Sequence, residues 1–280
     1  MPPSLLAERT ATRPNPRQEQ AERAKGVRRN RSRSVAVLRG TAGIATLALL
    51  WEYLPRAGVV DAYFIPPLHV VLQAWWHLAT SGLLWTDIKA SLVRSGAGFG
   101  LAVVIGVPLG ATIAWSRPVR EFLQPVLEVF RNTAALALLP AFTLVLGIGE
   151  TSKIAIVTYA CFFPILLNTI SAVAGVDAQL LRTARVLGLS PVATFRKVVL
   201  PAALPTIFTG IRIAGSVAIL VLIAAEMVGA NSGIGYLINY AEFNFLIPKM
   251  YAAILTASAL GLVVNYGLVG IEKRFSRWRA

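Results

Sequence analysis

Apolar runs of about 20 residues recur along this chain, and each is long enough to cross a hydrocarbon layer of about 30 Å. No other feature restricts the fold as strongly. A soluble chain of 280 residues would show shorter apolar runs and more charge than the 56% hydrophobic and 14% charged residues found here. The sequence therefore predicts an all-α integral membrane protein with six transmembrane helices, at 39–56, 92–116, 122–147, 154–174, 205–228 and 250–271. Between the first two, Pro66 and Pro67 interrupt the chain, and a short amphipathic helix carrying Trp75 and Trp76 is expected at the membrane interface.

A formal charge of +14 invites a nucleic-acid reading, but its distribution points to a membrane. Residues 1–38 carry nine of the basic side chains and no aromatic residue to stack on bases. That composition cannot bury enough apolar surface to order itself, so it predicts a disordered basic tail, with a membrane domain over 39–280. With the tail inside the cell, beside anionic lipid, the tail, the Arg117–Glu121 turn, the 175–204 loop and the C-terminus hold 20 basic residues, counting Arg39. The opposite side holds four, Arg56, Lys89, Lys153 and Lys249, while Arg94, Arg131 and Arg212 lie within spans. Both termini are therefore expected in the cytoplasm, with the chain crossing the plasma membrane several times. The lone cysteine, Cys161, reads as a small buried hydrophobe.

The 175–204 loop contains "LLRTARVLGLSPVATFRKVVLPAALP". Asp177 can cap a first helix, on which Leu180, Leu181, Ala184 and Leu187 fall at i, i+1, i+4 and i+7, with Gln179, Arg182 and Arg185 on the other side. Gly188 ends that helix, Ser190–Pro191 starts a second, and Pro201 and Pro205 are expected to break the chain before the fifth span. The pattern fits a segment lying on a membrane surface as well as a docking element for a soluble partner.

This loop resembles the EAA motif of binding-protein-dependent ABC importer permeases: Glu-Ala-Ala, three residues, Gly, nine residues, Ile, one residue, Leu-Pro. Gly188, Val198, Leu200 and Pro201 match in spacing, and Ala184 matches the last Ala, whereas Arg182 and Thr183 replace Glu and Ala. Further strings, "ALALLPAFTLVLGIGETSK", "FFPILLNT", "LVLIAAEMVGANSGIGYLI" and "EKRFSRWR", are similar to the branch importing nitrate, sulfonates and taurine, although Ala134–Ala135 stand where many relatives carry proline. The resemblance implies a type I ABC importer permease fold with cytoplasmic coupling helices. Leu180, Leu181, Arg182, Ala184, Arg185, Leu187, Gly188, Leu200 and Pro201 would then form the ATPase-docking loop. It further implies two ATPase subunits holding ATP and magnesium, an extracytoplasmic solute-binding protein, and a second permease copy. A small anion would be the solute.

The chain carries no G-x-x-x-x-G-K-[ST] phosphate loop, since "GIGETSK" at 147–153 lacks the Gly-Lys-Ser/Thr, so no cofactor is expected on it and hydrolysis must fall to another polypeptide. His69 and His77 have no nearby Cys or carboxylate pair to make a metal site. Among polar residues of the spans, Arg212 can snorkel to the cytoplasmic surface. Glu226 sits among alanines, where an unpaired carboxylate is costly. It either faces a watery pathway or partner, or holds hydrogen bonds such as those to the 229–235 backbone. Arg131, Asn132, Thr133 and Asn168 are pathway candidates. Gly96–Gly100 and Gly106–Gly110 form two small-x-x-x-small pairs expected to pack helices closely. The competing reading, a secondary transporter or channel working without an ATPase, would be favoured by several intramembrane carboxylates or an inverted repeat; one clear carboxylate and no repeat are visible.

Overall fold

The computed structural model describes residues 41–275, so the basic tail and the last five residues lie outside it. The chain divides into two compact units after Leu68. In the first, helix α1 (41–56) ends in an ion pair between Arg56 and Glu52. Trp51 Nε1 donates to Pro66 O at 3.1 Å, tying the following turn to that helix.

The second unit is built on three long helices, α3 (Leu83–Trp115), α6 (Glu150–Ala174) and α9 (Leu200–Glu226). Their facing apolar stripes bury Ala102, Ile156, Val157, Ile165, Ala214, Ala218 and Leu222 in one cluster. Leu166, Ile170, Val199, Ala203 and Ile207 form a second cluster toward the other end. The expected interfacial helix is α2 (Leu68–Thr80), where Trp76 is exposed and Trp75 Nε1 donates to Thr256 Oγ1 of α11 (Ile247–Phe275) at 3.1 Å. Helix α10 (Ile234–Phe243) fills the gap beside α9 and α11.

Close approach of α3 to α6 depends on small residues. Gly98, Ala102, Gly106 and Gly110 recur every fourth position on one buried face of α3. A Cβ added at Gly98 would lie 2.8 Å from Ile154 O, and one at Gly110 2.8 Å from Leu166 O. Of the two pairs expected from the sequence, Gly106 and Gly110 lie in this seam, whereas Gly96 and Gly100 face open space and Gly98 takes their place. The same device recurs where Gly210 of α9 meets Asn168 of α6.

Four helices, Leu83–Trp115, Glu150–Ala174, Pro191–Glu226 and Ile247–Arg274, are long and apolar enough to cross a membrane. The expected third span, 122–147, is instead two helices, α4 (Arg117–Asn132) and α5 (Leu139–Leu146), joined through a 3₁₀ turn and bent by 82°. The break falls at Thr133 and Ala134, both extended. Thr133 Oγ1 satisfies one of the last carbonyls of α4 by donating to Val129 O (3.1 Å), and Asn132 Nδ2 donates to Glu128 O (2.8 Å) one turn back. Described residues thus give four spans, or five with the bent pair; the first expected span begins outside them.

A second correction concerns Pro201 and Pro205, which do not break the chain. Helix α8 (Pro191–Thr194) runs through a π turn (Phe195–Val199) directly into α9. Leu200 N bonds to Phe195 O, five residues back, and this widened turn absorbs the proline that follows. Arg212 pairs with Glu272 of α11 at 3.3 Å, a partner the sequence does not announce. Cys161 is fully buried as expected.

Substituting Gly110→Val should lower stability by about 1–3 kcal/mol through overpacking against Leu166 O and Thr169. Gly100→Ala, into open space, should be neutral or stabilising by up to about 1 kcal/mol. Thermal unfolding midpoints in detergent would check the pair; equal midpoints would remove the packing role of the stripe.

Candidate functional site

The two ends of the three-helix core carry different chemistry. At one end lies the loop between α6 and α9. Helix α7 (Ala178–Val186) starts where Asp177 Oδ1 accepts from Gln179 N at 2.8 Å. It closes with Gly188 in the left-handed conformation, φ 69°. Leu189 N donates to Ala184 O (3.1 Å) and Gly188 N to Arg185 O (3.0 Å), the paired bonds of a glycine-terminated helix. Ser190 then caps α8 by accepting from Ala193 N at 3.3 Å. These local features follow the sequence reading closely.

The apolar ridge of α7 is divided rather than continuous. Ala184 is buried and Leu181 packs on the core beside it, while Leu180, Val186 and Leu187 point outward, Val186 at 87% exposure. Arg182 and Arg185 are exposed, Leu200 is half-buried, and Pro201 is exposed at the first turn of α9. The outward face therefore pairs three large apolar side chains with basic neighbours.

The opposite end holds a buried cluster of charge. Glu226, at the C-terminus of α9, has no exposed side-chain surface, and Arg94 of α3 retains only 5%. Arg94 Nη1 donates to Glu226 Oε1 at 2.7 Å and to Ser232 O at 2.6 Å. Its other nitrogens reach Glu150 at the start of α6, Nη2 to Oε1 at 2.6 Å. Ser91 Oγ donates to Glu226, and Gly235 N donates to Glu226 Oε2 at 3.0 Å. Ile234 N donates to Ser91 Oγ (2.9 Å) and Gly233 N to Asp87 Oδ1 (2.8 Å). The first N–H groups of α10 thus point at acceptors from α3 and α9, as a helix N-terminus favours. Gly233 has φ 114°, and a Cβ there would lie 2.4 Å from Glu226 Oε1. The "NSGIG" turn needs its glycines in order to wrap the carboxylate.

Of the two readings left open for Glu226, this geometry is hydrogen bonding to the 229–235 backbone, joined by an ion pair that the sequence reading missed. Arg94 was visible only as a cation in an apolar run. The available signal was Asp87, Ser91 and Arg94 at i, i+4 and i+7, one polar face on a helix that starts nine residues before the expected span. Lys153, counted among the outer charges, is also buried, donating to Gly149 O and Gly229 O.

The remaining pathway candidates do not join this cluster. Arg131 and Asn132 are exposed and Thr133 half-exposed at the α4 break, with Arg131 3.4 Å from Glu128. Tyr159 of α6 donates to Phe130 O at 3.0 Å beside them. Asn168 lies in the α6–α9 seam, donating to Pro164 O at 2.7 Å.

This two-ended helical core has known counterparts. The family described as "Binding-protein-dependent transport system inner membrane component" matches residues 103–277. The chain belongs to that family. It is a multi-pass membrane protein and the transmembrane permease subunit of an ABC importer. The permease is 33% identical to SsuC of Bacillus subtilis (strain 168), named for aliphatic sulfonate transport, across 84% of this chain and 85% of that one. It is 32% identical to the taurine transport system permease protein TauC of Escherichia coli (strain K12), across 88% and 91%. A chain from inward facing conformations of the MetNI methionine ABC transporter shares the fold, with TM-score 0.62 and 21% identity over 69% of the permease and 96% of that chain.

Removing one member of a buried ion pair strands the other. Arg94→Met should therefore destabilise the permease by about 3–5 kcal/mol, and Arg94→Met with Glu226→Met should recover most of that loss. Unfolding midpoints of the purified variants would show this, and a single variant as stable as the parent would remove the pair from the account.

Proposed function

We propose that two copies of the permease form one pathway, that two ATPase subunits carrying ATP and magnesium dock on the α7 loops in the cytoplasm, and that an extracytoplasmic binding protein delivers solute at the Arg94–Glu226 end. The observation carrying this is the outward face of α7, where Leu180, Val186 and Leu187 are exposed beside Arg182. Large apolar side chains presented together on a short, firmly capped helix suit a partner's groove. The placement of both termini in the cytoplasm follows from the charge bias of the loops.

For the solute we propose a small anion such as a sulfonate, taurine or nitrate. SsuC and TauC carry such names, and Arg131, Asn132 and Thr133 offer a cation and hydrogen-bonding groups at the α4 break. Irregular backbone at membrane depth is tolerated where it is covered by protein or lines a wet cavity, which favours this break as pathway lining. Glu226 would act on the pathway indirectly, by holding α3, α6 and α10 together. Closure of the ATPases would move α7, and α9, which is continuous with α8 and about 40 Å long, would carry that motion to the far end.

Leu187→Asp should weaken ATPase association about 10–100-fold and abolish uptake while membrane insertion is retained. Gly188→Val, straining a φ of 69°, should uncouple hydrolysis from transport. Arg182→Glu should weaken assembly if the cognate ATPase offers an acidic partner. Reconstituted complexes assayed for uptake and solute-stimulated hydrolysis provide the measurement. Full activity in both Leu187→Asp and Gly188→Val would sink the docking role.

A further inference from the structure

We infer that the permease holds one anionic phospholipid on the inward side of α7, its phosphate between Arg120 and Arg185 and an acyl chain along α3. The inference rests on the proposed orientation only in assigning that lipid to the cytoplasmic leaflet.

Two adjoining cavities carry it. The first, about 390 Å³, opens between the end of α3, the start of α4 and the inner face of α7. Arg120 and Arg185 line it, with Leu181, Leu189 and Val173 among its apolar walls and no carboxylate. Among the described residues neither guanidinium is in an ion pair; the neighbouring carboxylate, Glu121, is held by Arg117 at 2.7 Å. The second cavity, about 440 Å³, is almost wholly apolar and lies along Pro108, Ala111, Thr112 and Phe195. Trp115 and Pro191 line both, so the two meet there. Trp115 stands at the terminus of its span, edge-on to Phe195 with ring centroids 5.2 Å apart.

The arrangement matches the amphipathic order of a lipid at a leaflet boundary. A pair of guanidiniums outside any described ion pair lies beyond the end of a span, where phosphates sit, and a tryptophan of the kind found at interfaces marks the boundary. An apolar groove then continues along the span toward the hydrocarbon. Arginine suits the ligand because its planar fork bonds phosphate oxygens in pairs. Helix α7 would thus have two partners, the lipid on the face bearing Leu181 and Arg185 and the ATPase on the face bearing Leu180, Val186 and Leu187.

Native mass spectrometry of the full-length permease in detergent tests this, with dioleoyl phosphatidylglycerol, dioleoyl phosphatidylcholine and soluble glycerol 3-phosphate as probes. Phosphatidylglycerol should bind about tenfold or more better than phosphatidylcholine, and Arg120→Gln with Arg185→Gln should abolish that preference, whereas Arg182→Gln should leave it unchanged. Thr112→Trp, which fills the apolar groove without touching the arginines, should weaken phosphatidylglycerol alone, and it serves if the double variant does not fold. Equal retention of both lipids, or loss of preference in Arg182→Gln, would overturn the site. Binding of glycerol 3-phosphate as tight as the lipid's, unaffected by Thr112→Trp, would overturn the lipid as occupant. Detergent binding is independent of orientation. Labelling of Gln179→Cys by a membrane-impermeant thiol reagent from outside intact cells would therefore fail the orientation while leaving the site standing.

Discussion

The attraction between Arg94 and Glu226 operates where little water reaches, and a charge pair in such a place holds only when its other hydrogen-bonding positions are also filled. Much of the surrounding backbone is arranged to fill them. Ser91 and the N–H of Gly235 complete the carboxylate, while Ser232 and Glu150 complete the guanidinium. The direction of α10 follows, because its first N–H groups must face α3 and α9. So does the start of α6, where Glu150 must stay within reach of Arg94 although its own side chain is 63% exposed. Four helices and a glycine turn are fixed by one arginine.

That arginine reaches Glu150 at the start of α6 because α3 and α6 lie close. The small residues of α3 let backbone meet side chain along the seam, and their four-residue spacing keeps the contact on one face for about three turns. Ser91, Ser95 and Gly98 continue the same face toward the Arg94 end, so the packing stripe and the polar stripe run into each other. Hydrocarbon supplies no hydrophobic drive between helices, and close packing with internal hydrogen bonds takes its place.

What could be read in the sequence was what is decided locally. The caps at Asp177 and Ser190, the glycine stop at Gly188 and the short helix after Pro67 each depend on residues a few positions apart, and each stands where the spacing puts it. Arg94 and Glu226 are 132 positions apart, and Arg212 pairs with Glu272 from another helix, so no local pattern announces either pairing. The choice of Gly98 over Gly96 depends on which way α3 is rotated, and composition does not reveal rotation. The bend at Thr133 was hidden for a different reason: the residues on both sides are apolar enough to read as one span. The division of the α7 ridge, with Leu181 inward and Leu187 outward, depends on the core beneath it.

The π turn at Phe195–Val199 has a consequence for how this chain can vary. An α-helix advances about 100° per residue, so a widened turn holding one more residue than an α turn sets the rotation of everything after it. The loop with α7 and α8 lies on one side of that turn, and the buried face of α9, with Ala203, Ile207, Gly210 and Ala214, lies on the other. The facing of α7 and the facing of α9 are therefore separate settings, joined by a single adjustable residue. A lineage that lost one residue between Phe195 and Val199 would keep both helices and both caps. It would turn the core face of α9 away from α6, however, and the relation between loop and bundle would change in one step while every side chain in either remained the same.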